Sequence, residues 1–311
     1  MSSQVASNYN ATQENANLTA PNHANAPMEK DFENGYRLDS NMDPGTALRK
    51  IQTSGSISIS PELFEKIYLS PQNKVSGDLR KTFGNPTPLA LVGFLLSLTP
   101  LSCDLMGWRG AGGNGAASTG VYFFFGGLLM ILGSLGEFIL GNTFPFVVFG
   151  SFGAFWLAFA ATLQPFYNAY GAYSPDPTKP AEGLETVGFN ASFAFFLLFM
   201  GLLCFLYMIL ALRTNLVFFL IFMTLAPAFG LLAAAYWNLA KGTPAAAASA
   251  KTYIIAAGAL TFVTDMLGWW IFFAILLASL DFPFQLPVVD LSRFVKGASD
   301  KKKKKDSEYE A

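Results

Sequence analysis

An all-α membrane protein, a six-transmembrane-helix bundle with both termini cytoplasmic, is the fold class this sequence predicts. Three observations carry that expectation. Of the 311 residues, 52% are hydrophobic and only 13% charged, against roughly 25% charged in soluble proteins. Mean hydropathy is +0.37. Six apolar runs, at 88–105, 120–140, 144–163, 191–211, 216–236 and 253–280, are each long enough for a hydrocarbon core of roughly 30 Å. Of the 41 charged residues, 30 lie before Asn85 or after Leu280.

Residues 1–84 are rich in Asn, Ser, Pro and charge and lack the apolar surface to build a core, so a largely disordered cytoplasmic tail is expected there. No apolar h-region follows Met1, which argues against a secretory signal. Within the tail, "PELFEKIYL" (61–69) places Leu63, Phe64, Ile67 and Tyr68 on one face and reads as a short surface helix. The first span opens at "NPTPLALVGF" (85–94). Proline is tolerated in a first helical turn and asparagine caps the amides that follow, so this is a sharply defined helix start.

The links "GNTF" and "RTN", after the second and fourth runs, are short enough to fold the flanking helices into antiparallel hairpins. The longest connection, 164–190, carries the prolines, glycines and tyrosines of an aqueous boundary. Residues 85–292 thus form the transmembrane domain, and 293–311, with the run Lys301–Lys305, a basic cytoplasmic tail attracted to an anionic leaflet. Orientation follows from the cations. Lys74, Arg80, Lys81, Arg213, Arg293, Lys296 and the lysine run fall on one side, and only Arg109, Lys179, Lys241 and Lys251 on the other. On this topology Asn10 and Asn17 are out of reach of glycosylation, and Asn190 lies too near the fourth helix to be an acceptor.

Several functions are excluded by what is present. Cys103 and Cys204 sit in apolar runs without metal or redox spacing, and the single histidine, His23, lies in the polar tail. No phosphate loop, nucleophile with a base, or nucleotide motif occurs, so neither an enzyme nor a cofactor or metal site is expected. The net charge of -1 gives no footprint for nucleic acid.

Ionisable groups at membrane depth need a reason. In the second helix Gly126, Met130, Gly133, Glu137 and Gly141 share a face, which therefore packs closely or borders a cavity. The first helix repeats the pattern with Gly93, Ser97, Pro100 and Asp104, and the sixth with Gly258, Thr261, Asp265 and Gly268. Asp104, at a helix end, is expected to meet water and pair with Arg109. Glu137 is read either as a hydrogen-bonder to a neighbouring helix or as a gating group. Asp265, deeper in its run, is the candidate protonation site. Trp108, Tyr122, Tyr167, Tyr170, Tyr236, Trp237 and Tyr253 are assigned to an interfacial aromatic belt, and most of the 31 phenylalanines to the lipid face.

"NPTPLALVGF" also resembles the signature of the acetate uptake transporter family, which includes bacterial succinate–acetate permeases and fungal acetate and ammonia-export proteins. "FFGG" (124–127), "GEFILGNTF" (136–144), "GAFW" (153–156), "GWW" (268–270) and "LPVVDLS" (286–292) are similar to the family's further landmarks, in order. The resemblance covers about residues 85–292 and is nearest a filamentous-fungal branch. It implies a pathway through each six-helix protomer and a homo-oligomer, a hexamer in the family's architecture. Asn85, Pro86, Thr87, Pro88 and Leu89 match the pathway mouth, Phe94, Phe152 and Leu225 the apolar constriction, and Glu137 the second-helix glutamate. The chain departs from the pattern at Thr87, at Ala90 where the signature has glycine, at Met130 where many members have glutamine, and in a fourth helix without the usual tryptophan.

The function this implies is a plasma-membrane permease or channel for acetate and related short-chain monocarboxylates, with proton coupling as one form. Its partners would be a small organic anion, protons and membrane lipid. The alternatives are an ammonia or ammonium exporter, by family precedent, and a non-transporting membrane sensor or scaffold whose tail carries the output.

Overall fold

The computed structural model describes residues 83–292, 294, 295 and 297. The tail at 1–82, with the 61–69 segment, His23 and the sequons at Asn10 and Asn17, lies outside the described residues, as does the lysine run. Six helices are long and apolar enough to cross a membrane. They are α1 (Thr87–Met106), the compound span α2 (Gly113–Ile139), α3 (Thr143–Leu163), α4 (Val187–Ala211), α5 (Leu216–Leu239) and α6 (Pro244–Ser279). Among the described residues, extended pairing is confined to one antiparallel bridge, Asn215 with Asp290.

The helix starts follow from local chemistry. Pro86 caps α1, and the Thr87 N–H donates to Asn85 Oδ1 at 2.9 Å. The Asn215 side chain accepts from the Phe218 N–H at 2.9 Å at the head of α5, and Thr243 caps α6 just before Pro244. α1 ends on Gly107 at φ 71°, a left-handed position suited to glycine. Pro100 in α1 and Pro227 in α5 each remove one rung of the backbone ladder.

Two boundaries differ from expectation. α6 begins at Pro244 rather than near 253, because the alanine-rich "PAAAASAK" has high helix propensity but low hydropathy. Inside α2, a 3-10 stretch (Gly113–Ser118) and a short α-helical turn (Thr119–Val121) lead to a π-helical segment, Tyr122–Leu129, before regular α-helix resumes at Met130–Ile139.

The helices close a ring. α4 packs on α5, α5 on α6, α6 on α1, α1 on α2 and α2 on α3. Long side chains span the remaining gap from α3 to α4: Phe155 stacks on Phe196 at 5.8 Å, and Ser151 Oγ lies 3.0 Å from Tyr207 Oη. The small faces of the sequence are the seams. A Cβ on Gly133 would stand 2.6 Å from the Ala90 Cβ, so the alanine at 90 is accommodated because its neighbour is glycine. A Cβ on Gly126 would strike the Trp156 ring at 2.5 Å. Lipid-facing bulk is supplied by exposed side chains such as Phe124, Phe138, Phe199 and Leu202.

We call the end carrying Asn85 and the α4–α5 turn proximal, and the opposite end distal. At the proximal end the segment after α6 folds back over that turn. Leu216 N–H donates to the Val289 carbonyl at 2.7 Å, Leu291 N–H to the Thr214 carbonyl at 3.0 Å, and the Arg213 guanidinium to the Val295 carbonyl.

Candidate functional site

The interior of the ring holds three cavities in file, each sharing wall residues with the next. The distal one, 310 Å³, opens between the end of α1, the glycine-rich turn before α2 and the first turns of α6, with Asp104, Asn114 and Lys251 in its wall. The next, 50 Å³, shares Leu105, Asn114 and Ile254 with it and is otherwise lined by apolar and aromatic groups, Phe155, Phe159 and Tyr236 among them. The last, 30 Å³, lies between Leu98, Phe155, Leu225 and Thr261. It ends inside the bundle against Leu225.

One turn closer to the proximal end the interior is closed by rings. Phe94 of α1 meets Phe152 of α3 edge-on at 6.0 Å. Phe152 stacks on Phe222 at 6.4 Å, and Tyr207 of α4 packs on Phe222 at 5.5 Å. Phe222 precedes Leu225 by one turn of α5. Helices α1, α3, α4 and α5 thus each send a large ring to one level, and all four rings are buried.

Nearer still to the proximal end is a polar lock. The Thr87 hydroxyl donates to Glu137 Oε1, Asn142 Nδ2 donates to Oε2 at 2.6 Å, and all three side chains are buried. These bonds give partners to polar groups that would otherwise be buried without them. They tie the start of α1 to the end of α2 and the α2–α3 turn. Thr87, a departure from the family signature in the sequence, here supplies a hydroxyl where a small apolar residue could donate nothing. Of the rest of the motif, Asn85, Pro86 and Pro88 are half-buried and Leu89 is exposed.

Asp265 is fully buried between α6 and α1. Ser102 Oγ reaches its Oδ2 at a long 3.4 Å, and its Oδ1 accepts no hydrogen bond among the described residues. It borders none of the three cavities, although Thr261, one turn away, borders the innermost.

Two expectations are corrected, for Asp104 and Tyr122, and the face of Met130 takes the close-packed of its two alternatives. Asp104 makes no ion pair with Arg109: the ion pairs among the described residues belong to Lys179, with Asp176 at 3.9 Å and Glu182 at 3.2 Å. The left-handed backbone of Arg109 (φ 56°) and the turn around it leave that side chain in solvent. Tyr122 is not in an interfacial belt but wholly buried, stacked on Trp156 at 5.1 Å, since α2 extends a further turn on its distal side. Met130 faces no cavity; it is buried in the α1–α2 seam, where a Cβ on Gly93 would meet it at 3.3 Å.

Sequence reasoning missed Tyr207, Phe222, Asn142, Asn114 and Lys251. Asn142 had a signal, as a polar residue beside an intramembrane glutamate. Tyr207 had a weaker one, as the polar aromatic of an apolar helix. Lys251 had none once α6 was started too late.

The sequence profile described as the GPR1/FUN34/yaaH family matches residues 69–293, most of the chain. The chain belongs to that family. "Protein alcS" of Aspergillus fumigatus is 49% identical to this GPR1/FUN34/yaaH member over 250 residues, covering 80% of this chain and 91% of the relative. "Acetate transporter protein patA" of Aspergillus clavatus is 34% identical over 210 residues, covering 68% and 79%. Among solved structures, the bacterial acetate channel SatP aligns with a TM-score of 0.49 at 24% identity, covering 66% of this chain and 99% of that one. With its six membrane-spanning helices, this GPR1/FUN34/yaaH member is a multi-pass helical membrane protein.

Proposed function

We propose that this chain is a plasma-membrane permease or channel for acetate and related short-chain monocarboxylates, with both termini in the cytosol. A six-helix domain at 85–292 would carry transport, and the tails at 1–84 and 293–311 would lie outside it. The observation that carries this reading is the file of cavities ending on Leu225, with the buried rings of Phe94, Phe152 and Phe222 immediately beyond. A narrow apolar passage admits a small solute and penalises bare charge. A two-carbon acid fits that demand, and the Aspergillus clavatus relative is named an acetate transporter.

In this reading Asn85, Pro86, Thr87, Pro88 and Leu89 form the proximal mouth, and Phe94, Phe152 and Leu225 the constriction. Each protomer has its own pathway, and protomers associate as a homo-hexamer. Proton coupling would fall to Asp265 rather than Glu137. The Glu137 carboxylate already has two donors, whereas Asp265 has one long bond and an oxygen without a partner among the described residues.

The test is uptake of labelled acetate by liposomes holding the purified full chain. Saturable uptake above empty liposomes is expected, with Phe94→Ala admitting longer monocarboxylates about tenfold better relative to acetate. Uptake no faster than in empty liposomes, with the protein folded by circular dichroism, overturns the proposal.

A further inference from the structure

Four cations stand at the distal end of the bundle, and their surroundings differ. Lys179 is held by Asp176 and Glu182, and Lys241 Nζ donates to Asn238 Oδ1 at 3.1 Å. Arg109 is exposed and borders none of the cavities in file. Lys251 is likewise exposed, but it alone of the four lines the 310 Å³ vestibule, and it makes no ion pair among the described residues.

Across the same vestibule stands Asp104, the only other charged group in its wall, and the two do not form an ion pair. The rest of the wall is the glycine-rich turn, where Gly113 and Asn114 hold left-handed φ of 65° and 54°, together with apolar side chains of α1 and α6 such as Leu105 and Ile254. Asn114 also borders the following apolar cavity and so stands where the polar vestibule gives way to the dry part of the file.

A lysine and an aspartate that share a cavity without neutralising each other make a sign-selective arrangement. An anion entering gains the attraction of Lys251, whose side chain is exposed at the vestibule rim, so that the attraction acts at low salt and falls as salt rises. An anion with a second negative group brings that group towards Asp104, where like charges repel. We propose that the vestibule is a capture site for singly charged carboxylates, in which Lys251 draws the carboxylate in and Asp104 turns away dicarboxylates. The proposal rests on the transport reading for its purpose, but binding in the vestibule can be measured without transport.

Two measurements on the purified full chain test it. In liposomes at neutral pH and low salt, Lys251→Gln is expected to raise the half-saturation for acetate about fivefold, and Lys251→Arg to restore it. Asp104→Asn is expected to raise succinate uptake relative to acetate about fivefold, and Lys241→Gln to change neither. Independently of transport, acetate at matched ionic strength should slow acylation of Lys251 by an amine-reactive reagent, read peptide by peptide in a mass spectrometer, while leaving Lys241 unprotected. A parent that carries no acetate while Lys251 is protected sinks the transport reading and keeps the site. Acetate transport with Lys251 unprotected, or with half-saturation unmoved in Lys251→Gln, overturns the site and keeps the reading. An unchanged succinate-to-acetate ratio in Asp104→Asn overturns the exclusion of dicarboxylates.

Discussion

The two halves of the bundle interior are built on opposite plans. The distal half is hollow: a polar vestibule feeds two small cavities whose walls are Leu98, Leu101, Leu105, Phe155 and Leu232. The proximal half is filled, first by the rings of Phe94, Phe152, Phe222 and Tyr207, then by the Thr87–Glu137–Asn142 lock. The same helices line both halves, so side-chain choice within each helix makes the difference. In α1 it is Phe94 against Leu98 and Leu101, and in α5 Phe222 against Leu225. In α1 and α5 a ring closes the space that a branched aliphatic residue one turn away leaves open, whereas α3 carries a ring at both levels, Phe152 and Phe155. Such an interior is accessible from one end and sealed at the other.

That contrast can be broken at its strongest point by Phe152→Ala, which removes the ring touching both Phe94 and Phe222. A loss of about 3–5 kcal/mol is expected, as for other buried aromatics, together with faster passage of larger acids. Thermal unfolding in detergent and liposome flux report the two effects. A variant as stable as the parent would mean that the rings do not carry the closure.

A smaller effect is expected from Glu137→Gln, which keeps the shape of the lock but offers one oxygen where two are used. One buried donor then loses its acceptor, at about 1–3 kcal/mol. Thr87→Ser, which keeps the hydroxyl, should stay near the parent. Equal melting temperatures for Glu137→Gln and parent would remove the lock from the account.

The smallest effect is expected in the hollow half. The Thr261 hydroxyl donates to the Gly258 carbonyl of its own helix at 3.0 Å, so Thr261→Val should cost about 0.6 kcal/mol or less. A much larger loss, read by the same unfolding measurement, would show that the hollow half depends on its few polar groups as the filled half does.

Much of the architecture was legible before any coordinates. Six spans, two tight hairpins and the small-residue faces of α1, α2 and α6 follow from hydropathy and spacing, because lipid exposure and close helix approach act on residue type directly. The early start of α6 was hidden because alanine is a strong helix former and only a weak hydrophobe. The π-helical segment left no residue signature, since it is a change in backbone hydrogen-bond register. The pairing of Thr87 with Glu137, 50 residues away, and the meeting of Phe222 with Phe152 depend on helix rotation, which spacing leaves open. Asp104 and Lys251 became neighbours across a cavity only once α6 had gained its first two turns.

The bridge between Asn215 and Asp290 fixes an order of events in synthesis. The head of α5 waits for a partner strand that is translated some seventy residues later, after α6. Until then the Leu216 N–H and the Thr214 carbonyl, which the finished protein pairs with Val289 and Leu291, lack those partners at the proximal face. The final residues of the membrane domain therefore act as a clasp fastened last, and a chain shortened before Pro287 would keep all six spans yet leave their proximal face unfastened.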